Sequence, residues 1–268
     1  MRRSRLTAYL ISTLFAVGAV LTGAATAQAS QLAAAGGYVA LGDSYSSGVG
    51  AGSYISSSGD CDRSTNAYPY LYNAAHSPSS FAFNACSGAT TDDVLAGQLG
   101  SLNSSTGLVS ITIGGNDAGF ADVMTTCVLN SDSTCLSRIN TARSYVASTL
   151  PGKLDTTYST IRAKAPSARV VVIGYPRFYK LGATCVGLSE TKRSAINDAA
   201  DYMNSVISQR AAAHGFVFGD VRTTFTGHEI CSGDSWLHSV NWLDIGTSYH
   251  PTATGQSGGY LPVLNNND

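Results

Sequence analysis

The sequence predicts an α/β domain built on a mostly parallel sheet of about five strands. Three observations carry this. Short apolar runs bounded by turn residues recur along the chain, helical patterns lie between them, and no repeat, low-complexity tract or Pro-rich linker divides the chain after residue 29. Unbroken apolar runs suit strands buried on both faces, and a helix returning the chain between two such strands makes them parallel. In sheets of this kind the site lies beyond the carboxyl ends of the strands.

The first run is YVALG at residues 38–42, and FAF at 81–83 is a weaker second. LVSITI at 108–113 follows, and RVVVIG at 169–174 is the strongest, with four β-branched residues in a row. A helical stretch covers residues 136–165, with Pro151 either opening a new helix or kinking a long one. The clearest helix spans 190–214, where Ile196, Ala199, Met203, Val206 and Ile207 recur on one face and Gly215 stands at the C-terminal cap position. FVF at 216–218 is the last strand candidate.

Composition narrows the function. Of 268 residues 44% are hydrophobic and only 12% charged, with 16 basic against 17 acidic residues. Soluble domains usually carry about 25% charge, so the surface is expected to be covered by uncharged polar residues. Neither a nucleic-acid binder, which needs a basic stripe, nor a disordered chain fits.

Residues 1–29 read as a secretory signal and 30–268 as the domain. Arg2, Arg3 and Arg5 precede an apolar run, and Ala27-Gln28-Ala29 supplies small residues where a signal peptidase cuts. A membrane anchor is the competing reading, but the strongly apolar part, about residues 10–20, falls short of the ~20 residues a span needs. Cleavage removes three Arg and no acid, leaving a net charge of −4. The expectation is a secreted monomer with no stable membrane anchor.

Six cysteines, Cys61, Cys86, Cys127, Cys135, Cys185 and Cys231, all follow the cleavage site, an even number suited to disulfides in an exported protein. Sequence alone allows 15 pairings. No C-x-x-C pair occurs, so no metal site is expected.

The strand exits hold the chemistry. The first run ends in Gly42-Asp43-Ser44, placing a hydroxyl at a strand-to-loop exit among small neighbours. LVSITI ends in Gly114-Gly115-Asn116-Asp117, which offers a side-chain amide, and Cys86-Ser87-Gly88 offers a backbone N–H with no side chain in the way. His250 precedes Pro251 near the C-terminus, although His76, His214, His228 and His238 are also available as a base. A hydroxyl, two donors and an imidazole are the parts for acyl transfer. Singly, each has a plainer reading as a turn former or cap.

Together and in this order, Gly42-Asp43-Ser44, Gly88, Gly114-Gly115-Asn116-Asp117 and His250-Pro251 resemble the four blocks of the SGNH (GDSL) hydrolases, over essentially the whole mature chain. ALGDSYSSGVGAG, TIGGNDAGF and the six cysteines resemble the secreted actinobacterial lipases and phospholipases of that family, with Tyr45 in place of the Leu of G-D-S-L. The resemblance implies a flavodoxin-like three-layer α/β/α fold. It implies Ser44 as nucleophile, His250 as base, and an oxyanion hole from the Ser44 and Gly88 N–H groups and the Asn116 amide. It also implies bridges Cys61–Cys86, Cys127–Cys135 and Cys185–Cys231, and no cofactor.

Tyr45, Tyr54, Phe120, Phe178, Tyr179, Trp236 and Trp242 fall in expected exit loops and suit an acyl chain, or serve ordinary packing. The expected substrate is a fatty acyl ester, glyceride or phospholipid. A carbohydrate acetyl esterase and a noncatalytic extracellular binding module are the alternatives. A rate series over acyl lengths separates the first, and labelling by a fluorophosphonate separates the second.

Many relatives place Asp three residues before the His. Here that position is Thr247, and the nearest preceding acid is Asp244, with Asp234 and Glu229 farther away. A Ser44-His250 dyad is therefore expected, oriented by the backbone carbonyl of Thr247 or Ser248. A neutral acceptor predicts an imidazole pKa near the ordinary ~6.5.

Overall fold

The computed structural model describes residues 36–268; the expected signal segment 1–29 lies outside them. Five strands form one parallel sheet, β1 (Gly37–Gly42), β2 (Phe81–Phe83), β3 (Thr106–Thr112), β4 (Arg169–Ile173) and β5 (Val217–Gly219), in the order β2-β1-β3-β4-β5. This is the doubly wound order in which ligands sit where β1 and β3 part. Gly42 pairs with Thr112 at that point, so the exits carrying Ser44 and Asn116 lie side by side.

Helices cover both faces. Along β4, alternate side chains point opposite ways: Val171 and Ile173 lie with Val263 around Gly219, whereas Gly174 faces Asn204. Val263 belongs to a C-terminal helix, Leu261–Asn265, which packs with Tyr68–His76; Asn204 belongs to Glu190–Ala213, which packs with Leu150–Lys164. Val170 to Ile173 are all buried, as a doubly covered strand requires.

The stretch expected at 136–165 is two helices, Asp132–Ser148 and Leu150–Lys164. Pro151 sits in the first turn of the second, where its missing N–H costs nothing, so it opens a helix rather than kinking one. The start moves back to Asp132 because the Ser131 side chain accepts from Thr134 N and caps the helix there. Ser189 caps Glu190–Ala213 by accepting from Lys192 N, and Gly215, at φ 66°, lets the chain turn into β5.

The three bridges are Cys61–Cys86, Cys127–Cys135 and Cys185–Cys231. The second staples Phe120–Leu129 to Asp132–Ser148 across a two-residue connection. The first lies two residues from Gly88, and the Cys86 N–H donates to the Gly42 carbonyl at 3.0 Å, tying that segment to the end of β1.

Candidate active site

Gly42 ends β1, and Asp43 caps the single helical turn Ser44–Ser47 by accepting the Tyr45 N–H. Ser44 is the first residue of that turn, so its own N–H has no partner inside the helix. Gly42 has φ 119°, and a Cβ there would meet the Thr112 carbonyl oxygen at 2.3 Å, so only glycine fits. The turn is locked from below: Ser46 Oγ lies 2.8 Å from both the Tyr68 hydroxyl and Thr112 Oγ1.

His250 Nε2 lies 2.7 Å from Ser44 Oγ, and its Nδ1 is 3.0 Å from the Ser248 carbonyl. A carbonyl can only accept, so Nδ1 carries the proton and Nε2 presents its lone pair to the serine O–H. Of the two carbonyls expected to orient the ring, that of Ser248 makes the Nδ1 hydrogen bond, and that of Thr247 accepts the His250 backbone N–H at 3.2 Å. Tyr249 explains the choice. Its φ of 67° is left-handed, which folds the Ser248 carbonyl back over the ring two residues on. Two tyrosines hold this conformation, Tyr45 donating to the Tyr249 carbonyl at 2.8 Å and Tyr179 to its hydroxyl at 3.0 Å. Asp244 makes no hydrogen bond or ion pair to His250.

The imidazole departs from expectation. Burial lowers its pKa to about 4, because the half-buried ring loses part of the solvation that stabilises its charged form; the Ser248 carbonyl opposes this only partly. An ordinary value followed from the neutral acceptor alone, and the desolvation of the ring depends on neighbours that the sequence does not place beside it.

The other four histidines are engaged elsewhere: His238 with the Gly50 carbonyl, His76 with Asn265, His214 with Asp155 and His228 with Asp234.

Gly88, at φ 76°, and Asn116 line the same groove as Ser44 and His250. Asn116 Nδ2 donates one hydrogen to the Ala89 carbonyl at 3.0 Å, which leaves the other hydrogen of the amide available. Asp117, beside it, accepts from Thr91 N and Oγ1 and fixes this loop to the segment after Gly88.

Sequence reasoning missed the buried support beneath the site. Asp43 accepts from Thr112 Oγ1 and from the Tyr175 hydroxyl, and that hydroxyl accepts the Gly115 N–H at 3.1 Å. Burial raises the Asp43 carboxyl to about 6, with the Thr112 and Tyr175 hydrogen bonds pulling it down. Tyr175 stands two residues past β4, at a strand exit, and that position was the available signal.

Beneath Ser44 an apolar pocket runs between helices, lined among others by Tyr45, Phe120, Met124, Ile139, Phe178 and Met203. Of the aromatics singled out in the sequence, Tyr45, Phe120 and Phe178 line it and Trp242 lines the outer groove. Tyr54, Tyr179 and Trp236 line neither. Tyr54 accepts from Gly50 N, Tyr179 packs on Tyr249, and Trp236 stacks on His228. Among the described residues, no group of three or more His, Cys, Asp or Glu is placed to hold a metal ion.

A parallel doubly wound sheet with a serine and a histidine in contact at the β1–β3 parting defines a hydrolase of the serine esterase class. The chain belongs to the GDSL-like Lipase/Acylhydrolase family, whose model matches residues 40–257. It is 77% identical over 265 residues to Lipase 1 of Streptomyces coelicolor, covering 99% of each chain. It is similar in structure to phospholipase A1 from Streptomyces albidoflavus NA297 (TM-score 0.86, 71% identity, 87% of this chain and 100% of that one). It is also similar to an extracellular lipase from Streptomyces rimosus (TM-score 0.85, 65% identity, the same coverage). The protein is a carboxylester hydrolase of the lipase/esterase kind.

Proposed function

We propose that the protein is exported and cleaves fatty acyl esters of glycerides or phospholipids through a Ser44 acyl-enzyme with His250 as the base. The 2.7 Å contact between His250 Nε2 and Ser44 Oγ carries this reading. Ser44 attacks the acyl carbon as its proton passes to Nε2, and the Ser248 carbonyl holds the imidazolium through Nδ1–H. The Ser44 and Gly88 N–H groups and the free hydrogen of Asn116 Nδ2 receive the oxyanion. His250 returns the proton to the departing alkoxide, and water then hydrolyses the acyl-enzyme by the same route. The apolar pocket under Ser44 takes the acyl chain.

Three disulfides and an N-terminal segment with signal-like composition support export. Fluorophosphonate labelling of the protein and of Ser44→Ala tests the nucleophile. The expected result is labelling and ester hydrolysis that both vanish in the variant with an unchanged melting temperature, and retained labelling overturns the assignment. A rate series over acyl length should peak beyond acetate, whereas a maximum at acetate points to a carbohydrate acetyl esterase.

A further inference from the structure

The loop at residues 241–247 is an unusual piece of surface. Trp242, Leu243 and Ile245 are 69%, 99% and 63% exposed, and Leu129, which lines the same groove as Trp242 and Ile245, is 64% exposed. Trp242, Ile245 and Leu129 line the groove that holds Ser44 and His250, and Leu243 stands between the first two. The loop is braced by its own polar groups rather than by a core. Asn241 Oδ1 accepts from the Leu243 and Asp244 N–H groups, Thr247 Oγ1 donates to the Asp244 carbonyl, and Ser248 Oγ accepts from Asn241 N. The apolar side chains are therefore held outward by an ordered scaffold.

We propose that this rim is the surface by which the enzyme docks onto an uncharged or zwitterionic lipid surface, so that a lipid's acyl ester enters the groove directly from the aggregate. Two observations choose that partner. The apolar rim is continuous with the groove leading to Ser44, and Trp, Leu and Ile side chains transfer favourably into the boundary of a lipid phase, with Trp suited to its interface. Charge excludes an anionic membrane as the main attractor. No Lys or Arg occurs from residue 223 to the C-terminus, and the loop's one ionic group is Asp244. Basic clusters are what bind anionic leaflets.

The inference rests on the Ser44 site being the ester-cleaving one, and the test separates the two. The chain has two tryptophans, and Trp236 is stacked on His228 with ring centroids 3.6 Å apart. On titration with vesicles of diether phosphatidylcholine, which the enzyme cannot hydrolyse, tryptophan emission should shift to the blue. Trp242→Phe should abolish the shift. Leu243→Ser should weaken partitioning about tenfold, and Leu243→Asp more, while both keep wild-type rates on a water-soluble short-chain ester. An enzyme that hydrolyses the soluble ester yet shows no shift, or Leu243 variants that partition like wild type, overturns the docking surface and leaves the esterase reading standing. Binding confined to vesicles containing phosphatidylglycerol overturns it as well.

Discussion

The Tyr175 hydroxyl donates to Asp43 Oδ2 while accepting the Gly115 N–H, so one buried phenol joins the turn that carries Ser44 to the loop that carries Asn116. Neither partner faces substrate as an oxyanion donor, and the role is positioning. Tyr175→Phe leaves the Gly115 N–H without its partner, a loss of about 1–3 kcal/mol for a buried group. The expected outcome is kcat lowered about tenfold, since ~1.4 kcal/mol is a factor of ten, with KM within about twofold. An unchanged kcat removes Tyr175 from the site's support.

Asn116 has a different signature because its amide points into the groove. Losing one oxyanion donor costs about 2.7–4 kcal/mol in the barrier, so Asn116→Ala should lower kcat by roughly 10²–10³. The lost hydrogen bond to Ala89 should cost stability as well. If steady-state kinetics show less than about a tenfold loss, the amide is structural.

The low imidazole pKa fixes the acid limb of the pH profile. His250 acts as a base only when neutral, and burial favours the neutral form, so kcat/KM should rise as pH climbs through about 4 and then level off. Measurement on a soluble ester, with folding checked at each pH, tests this. A midpoint near the ordinary ~6.5 would mean that water reaches the ring freely.

A dyad and a triad separate by one comparison. His250→Ala should lose nearly all activity, whereas Asp244→Asn, at an exposed position with no bond to the imidazole, should lose less than about tenfold in kcat. An Asp-to-Asn change in a true Ser-His-Asp triad costs ~10⁴, so a loss of that size with the fold intact would make Asp244 the third member.

The Cys127–Cys135 bridge closes a short loop between two helices beside the apolar pocket. Loop-closure entropy for so small a ring corresponds to about 2.5 kcal/mol. Replacing both cysteines with serine should lower unfolding stability by about that amount or more in a denaturant titration, because both positions are buried and a serine there adds the cost of an enclosed hydroxyl. A variant as stable as wild type would show that the helices need no staple.

The sequence by itself determined the strands and the long helix from 190, because these rest on local matters, while Ser44, Asn116 and His250 stood out only through the order of four motifs along the whole chain and the family resemblance it carries. Apolar runs, a cap residue and small residues at a strand exit are read within a few positions of the chain. The start of the helix at Asp132 needed only the Ser131 cap to be weighed, a signal equally local. The tertiary structure alone decided that Ser248 rather than Thr247 meets the imidazole, since this depends on a left-handed Tyr249 clamped by Tyr45 and Tyr179 from distant segments. It alone decided the pKa of His250, the part played by Tyr175, and the outward stance of Leu243. Desolvation and hydrogen bonding between segments far apart in the chain depend on what packs against a residue, and neighbours in sequence do not specify that.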